Sequence, residues 1–184
     1  MEFHPVTAER LPDLQRFSDQ HGKFRYCSCM RWRMKSTDYQ RSTKESRIVA
    51  MEDLVRNGTP VGILAYQDGE PVGWCSVAPR ETYAALERYG ALPRIDNADG
   101  VWSVVCFFLD RRVRGQGATL GLLREAVEYA RSQGAKIVEG YPVERGQHLY
   151  TYMGPPTAFE HAGFHDVKNP RGDRQIVRLD VPAK

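Results

Sequence analysis

The 184-residue chain contains no long hydrophobic run. Its longest apolar stretch, VWSVVCFFL from Val101 to Leu109, falls well short of the roughly 20 residues a membrane helix needs. The opening MEFHPVTAERLPDL lacks the apolar segment of a secretory signal. Both absences lead us to expect a cytoplasmic protein with no membrane partner. Cysteine is scarce: Cys27, Cys29, Cys75 and Cys106 are the whole set. Two of them lie in apolar, strand-like runs, where a free thiol acts as a small hydrophobe, so no disulfide is expected. Cys27 and Cys29 look like half of a metal motif, but no second close pair of Cys or His follows and His21 is the only neighbour. A structural zinc site normally takes two ligand pairs at set spacings, so no metal is expected. Repeats and low-complexity linkers are missing as well. So are a Gly-Lys-Ser/Thr phosphate loop and a Gly-x-Gly-x-x-Gly turn, which removes the usual ATP-binding and dinucleotide-binding signatures.

What is present is ordinary in bulk. Hydrophobic residues make up 41% and charged residues 27%, as in globular proteins generally. The length fits a single domain, 1–184, with a real core. The net charge of +3 is unevenly placed. Lys23 to Arg47 carries eight Lys/Arg against Asp38 and Glu45, eight minus two, a local +6.

The apolar spacing predicts a mixed α/β layout. FHPVT reads as a first strand, and AERLPDLQRFSDQHG as a helix carried by Leu11, Leu14 and Phe17 and stopped at Gly22. STDYQRSTKESRIVAMEDLVRNG reads as a second helix, which makes 20–58 a helical region. VGILAYQDGEPVGWCSVAPR is a hairpin around Asp68-Gly69. ETYAALERYG reads as a short helix and VWSVVCFFLD as a buried strand. A turn, a helix and the strand KIVEGYPV follow, closing a β-α-β unit over 101–143. A short helix at TAFEHAG and the strands FHDVKN and RQIVRLDV finish the chain.

The turn inside that unit carries the chemistry. Gly115 and Gly117 follow Arg111, Arg112 and Arg114 and precede an amphipathic helix carried by Leu120, Leu122, Leu123, Ala126, Val127 and Ala130. Glycine permits conformations and close approaches that a Cβ would block. The first amides of a helix lack internal partners and sit at the positive end of its dipole, which suits phosphate or pyrophosphate. A glycine-containing helix entry with solvated arginines is the bland alternative.

The stretch resembles the pyrophosphate motif of the GNAT family of N-acetyltransferases, Arg/Gln-x-x-Gly-x-Gly/Ala. Arg112 to Gly117 fits it literally. Arg114-Gly115-Gln116-Gly117-Ala118-Thr119 fits with Thr119 at the final position and sets LGLL where the family has its first helical leucines; this second register is preferred. The likeness runs over residues 60–165 and includes FEHAGF, similar to the family's C-terminal signature. With YCSCMRWR and VEGYPV it resembles a bacterial subgroup of the family.

The resemblance implies an α+β fold, a mixed but mostly antiparallel sheet of about seven strands with helices on both faces. It implies acetyl-CoA as co-substrate and direct acetyl transfer to a primary amine of a small molecule. Phe107, Phe108 and Leu109 would meet pantetheine through their main chain, where this strand splays from the next. Arg112 and Arg114 to Thr119 would meet the pyrophosphate. The family often uses a tyrosine four residues before the glycine of GF as the acid; here that position is Phe159. Tyr152 is the replacement candidate, with a packing role as its alternative. For the base, Glu139 stands in the apolar strand KIVEGYPV beside the expected splay, where a carboxylate must be paired, hydrated or raised in pKa. A structural ion pair is an equal reading, and Glu81 is a weaker candidate base.

Cys29, Trp32, Trp74 and Trp102 are candidate acceptor-pocket residues, since the region between the N-terminal helices often shapes that pocket in the family. Aromatics interleaved with the basic arm also suit RNA, and some relatives acetylate aminoacyl-tRNA, but a solvated face or steering of acidic CoA is preferred. A non-catalytic acyl-CoA sensor is the alternative from another class. The oligomeric state, a homodimer among the options, is left open.

Overall fold

The structure, a computed structural model, describes residues 1–144, 146, 150–172 and 174–181; the side chains of residues 23, 25 and 26 lie outside that description. Seven strands form one sheet: β1 (Glu2–Pro5), β2 (Ile63–Gln67), β3 (Glu70–Pro79), β4 (Val101–Leu109), β5 (Ile137–Gly140), β6 (His165–Val167) and β7 (Ile176–Asp180). Their order is β1-β2-β3-β4-β5-β7-β6. Among the described residues only β4 and β5 run parallel, with Val101 opposite Ile137 and Val104 opposite Gly140. The expected sheet of about seven mostly antiparallel strands is therefore what forms.

Helices cover both faces. In β2, Ile63 and Ala65 point into the core beneath α5 (Ala118–Ser132), while Leu64 and Tyr66 point to the N-terminal helices. That period-two alternation is what a strand sandwiched between two apolar layers must show. Helix α5 buries Ala118, Leu122, Leu123, Ala126, Val127 and Ala130, five of them from the predicted stripe, while the predicted Leu120 is only half-buried. Each full burial of a leucine such as Leu122 is worth about 1.5–3 kcal/mol. On the other face lie α1 (Leu11–Gln20), α2 (Gly22–Cys27), α3 (Ser36–Arg41) and α4 (Lys44–Arg56).

Two expected elements take another form. The second N-terminal helix is broken into α3 and α4, because Thr43 N-caps the latter. Its Oγ1 accepts from Ser46 N at 3.2 Å, and Ser46 Oγ accepts from Thr43 N at 3.0 Å. This reciprocal capping box starts a new helix inside what reads as one periodic run. ETYAALERYG makes two 3-10 turns, Arg80–Thr82 and Leu86–Arg88, since Tyr83, Leu86 and Leu92 are pulled into a third core cluster at the strand ends.

An irregularity in β4 positions the site. Ser76 pairs with Cys106 but Val77 pairs with Val104, so Val105 is an extra residue, a β-bulge. Before it, Trp102 and Val104 face α5. After it, the alternation shifts: Phe107 faces α5, while Cys106 and Phe108 turn toward the N-terminal helices. The bulge falls where β5 stops pairing with β4 at Val104.

Candidate active site

Among the described residues the edge of β4 facing β5 has no strand partner beyond Val104, and a cleft opens there. The cleft measures ≈ 460 Å³ and is lined by Phe107, Phe108 and Leu109 on one wall and by Val143, Tyr152 and Gly154 on the other. A splayed edge of this kind leaves backbone amides and carbonyls for an amide-bearing ligand, as an added strand would use them.

Arg114, Gly115 and Thr119 form the far end of the cleft. A 3-10 turn, Arg111–Val113, follows β4. Asp110 caps it, its carboxylate accepting from Arg112 N at 2.8 Å and Arg112 Nη2 at 2.9 Å. The hydrogen bond from the Arg112 side chain, then that from its backbone, holds the Asp110 carboxyl well below the usual range. Asp110 Oδ2 also lies 3.3 Å from His21 Nε2, tying the end of α1 to this turn. Gly115 and Gly117 both have φ of 77°, the left-handed region that penalises any Cβ, and a Cβ at either would meet open space. Their need for glycine is thus conformational. The helical ladder begins with Gly121 N donating to Gly117 O at 3.0 Å, so the amides of residues 118–120 have no partner within α5. Arg114 folds over the turn, its Nε and Nη2 donating to Leu109 O at 3.2 and 2.9 Å. Arg114 and Gly115 belong to both motif registers, and Thr119 to the second alone. Arg112 is tied to Asp110 and exposed. Gln116 donates its side-chain amide to Arg112 O at 2.8 Å, and Ala118 is buried as the first residue of α5.

A second cavity of ≈ 520 Å³ adjoins the cleft on the side of the N-terminal helices. Phe108, Thr151 and Tyr152 line both. Its walls are aromatic: Trp32 packs edge-on to Tyr89 with centroids 5.4 Å apart, and Tyr150 stands 5.8 Å from Trp32 and 6.0 Å from Tyr152. Cys27, Cys29 and Cys106 add sulfur. All four cysteines are free thiols, and among the described residues no group of His, Cys, Asp and Glu is arranged to hold a metal. Burial first, and then the neighbouring Cys106, raise Tyr152 above the ordinary tyrosine value, so its hydroxyl keeps its proton.

The proposed site residues scatter more than the sequence suggested. Cys29 and Trp32 line the second cavity. Trp74 lies beneath it: fully buried, it donates from Nε1 to Cys29 Sγ at 2.9 Å. Trp102 faces the opposite layer and packs edge-on against Tyr129 of α5. Neither Trp74 nor Trp102 is among the residues that line the cavity. Glu139 is sealed from solvent, with Oε1 accepting from Arg80 Nη1 at 2.5 Å and Tyr141 OH at 2.6 Å, and Oε2 from Arg178 Nε at 2.8 Å. It lines neither cavity. The carboxylate is clamped by two guanidinium groups and a phenol inside the scaffold, away from both cavities. Glu81 is exposed on its 3-10 turn. Phe159 lies in α6 (Pro156–His161), with its ring over Gly140 where a Cβ would come within 2.2 Å of it. The sequence reading missed Thr151 and Tyr150, which follow the β5 strand in a loop without helical or strand periodicity.

Part of the basic arm is turned inward. Arg33 is buried and donates to Val61 O at 3.1 Å and to Tyr83 OH at 3.3 Å. Arg47 Nη1 donates to Ser42 O at 3.2 Å. Among the described residues no helix is long and apolar enough to cross a membrane.

Known proteins agree with this architecture. The family model described as Acetyltransferase (GNAT) family matches residues 26–154. No curated protein sequence matches the chain. Among solved structures, the aminoglycoside acetyltransferase AAC(6')-Ib in complex with coenzyme A is similar, with TM-score 0.56 and 17% identity over 97% of this chain and 93% of that one. The ribosomal-protein-alanine N-acetyltransferase of Brucella melitensis gives 0.55 and 17% over 98% and 99%. A GNAT-family acetyltransferase of Streptococcus pneumoniae gives 0.55 and 14% over 98% and 99%. The splayed β4, the left-handed glycine turn and the family match over most of the sheet converge: this chain belongs to the GNAT family of acetyltransferases.

Proposed function

We propose that the protein moves an acetyl group from acetyl-CoA to the amine of a small molecule held in the aromatic cavity. The observation that carries this reading is the junction of the two cavities, which share Phe108, Thr151 and Tyr152. A ligand in the cleft and a ligand in the second cavity would meet there. The cleft fits coenzyme A in kind. The open β4 edge offers main-chain partners to pantetheine, and the unpaired amides of residues 118–120 with Arg114 offer partners to the pyrophosphate. Acetyl-CoA supplies the activated acyl group as its thioester.

The chain's own residues then do three things. The main chain of residues 107–109 orients the thioester, and an amide there meets charge growing on its carbonyl oxygen. The aromatic walls exclude water and hold the amine near the junction. Tyr152 gives its proton to the sulfur as the C–S bond breaks and a C–N bond forms. None of the described residues lining either cavity is Asp, Glu or His. The amine attacks in its neutral form, the proton its nitrogen sheds as the C–N bond forms passes to solvent through the cavity mouth, and the Tyr152 phenolate regains a proton from the same solvent. Glu139 belongs to the scaffold in this scheme.

Release of free thiol from acetyl-CoA, followed across a panel of amines, tests the reading. Amine-dependent release supports transfer. Tight CoA binding with no amine-dependent release across the panel would instead indicate an acyl-CoA-binding module.

A further inference from the structure

The second cavity is lined by a guanidinium and an indole, Arg31 and Trp32, and by no carboxylate among the described residues. Arg31 Nη1 and Trp32 Nε1 are both shielded from solvent and have no hydrogen-bond partner. Trp32 is 2% exposed, and both residues line the cavity. A charge-assisted pair with a carboxylate is among the stronger hydrogen-bonded contacts a guanidinium can make. The Arg31 guanidinium lies over Trp32, 5.4 Å from the ring centroid, and over Tyr39 at 5.7 Å. Among the described residues it has no carboxylate partner, and none lines the cavity. The nearby cations Arg47, 4.9 Å over Tyr39, and Arg174, 5.0 Å over Tyr150, add positive potential.

We propose that the acceptor is an amine that also carries a carboxylate, with an aromatic or large apolar body: an α-amino acid of that kind. Its carboxylate pairs with the Arg31 guanidinium, and its body lies among Trp32, Tyr150 and Tyr152. Its amine is left toward the junction with the cleft. A cavity of ≈ 520 Å³ is ample, within the range of about 300–1,000 Å³ of small-molecule sites. Polycationic acceptors fit poorly, since the cavity offers them a guanidinium and no carboxylate. The inference rests on the acetyl-transfer reading but has its own test.

Phenylalanine, its neutral amide and phenethylamine differ in the group that Arg31 would hold. With acetyl-CoA, phenylalanine should show at least about tenfold higher kcat/KM than phenethylamine, mostly through KM, as expected for a charge-assisted pair. Phenylalaninamide should fall between them. In calorimetry, phenylalanine should bind the enzyme–CoA complex and phenethylamine should bind more weakly. Arg31→Gln should bring the ratio near one while leaving CoA affinity unchanged. Arg31→Lys, which keeps the charge but not the planar fork, should keep part of it and serves if the glutamine variant does not fold. Preference for phenethylamine or kanamycin, a ratio that survives Arg31→Gln, or no uptake of phenylalanine by the CoA complex would overturn the proposal. If CoA itself does not bind, the acetyl-transfer reading fails first. If CoA binds and only kanamycin or phenethylamine is acetylated, the carboxylate assignment alone fails.

Discussion

Arg80 Nη1 donates to Glu139 Oε1 at 2.5 Å, and neither side chain is reached by water. The pair joins the 3-10 turn after β3 to the middle of β5, and Arg178 of β7 completes it from the other side. Removing the charge leaves two buried cations facing a neutral amide. Glu139→Gln should lower unfolding free energy by about 3–5 kcal/mol, read from the urea midpoint. The pH dependence of kcat/KM should keep its shape in the folded fraction, because Glu139 accepts no proton from the substrate. A pH profile that loses its acid limb would restore Glu139 as a base.

Tyr152 stands where the two cavities meet. Tyr152→Phe should cost about a hundredfold in kcat, the scale of a lost general acid, with the Kd for CoA unchanged. Burial pushes the hydroxyl upward from its usual value of about 10. The acid form therefore persists, and wild-type activity should show no alkaline loss from this group below about pH 10. Unchanged kcat in the phenylalanine variant would reduce Tyr152 to a wall of the pocket.

Gly117 enters α5 with φ of 77°. Forcing a Cβ into the left-handed region costs about 1–2 kcal/mol, so Gly117→Ala should either strain the turn or shift it. CoA affinity should drop about tenfold in calorimetry. Gly58, at φ of 72° after α4, provides the control. Gly58→Ala should cost similar stability and leave CoA affinity intact.

Much of this was readable before the structure. The stripe of α5, the hairpin and the glycine turn follow from local patterns of spacing and chirality, and they fix the cleft. The second cavity was half readable. Cys29 and Trp32 reach it, but Trp74 and Trp102 do not, because indoles are apolar enough to serve a core and only the sheet's facing decides. The β-bulge at Val105 reverses that facing midway along β4, and no residue type in VWSVVCFFL signals it. Base and ion-pair readings of Glu139 stood level in the sequence because its partners, Arg80 and Arg178, are 59 and 39 residues away in the chain. A lone carboxylate in an apolar strand reads the same whether it awaits a proton or a guanidinium.

Asp110 gives a pH signature. Its carboxyl is held below the usual range by Arg112. A group whose folded pKa is depressed contributes stability above its unfolded value near 4 and loses it as pH falls through the folded value. Wild-type Tm should therefore fall more steeply than that of Asp110→Asn between about pH 5 and about pH 3. The difference should shrink in high salt, since the pair is largely exposed on the Arg112 side. Parallel Tm curves would mean that the pair adds nothing to the fold.

Isothermal titration of coenzyme A into the folded protein tests the central claim most directly. The account predicts one site per chain and an affinity that weakens as salt rises. The Gly117→Ala variant should bind less tightly. Folded protein that takes up no coenzyme A, or takes it up equally well with Gly117 replaced, would contradict the assignment of the β4 splay and its glycine turn as the cofactor cleft.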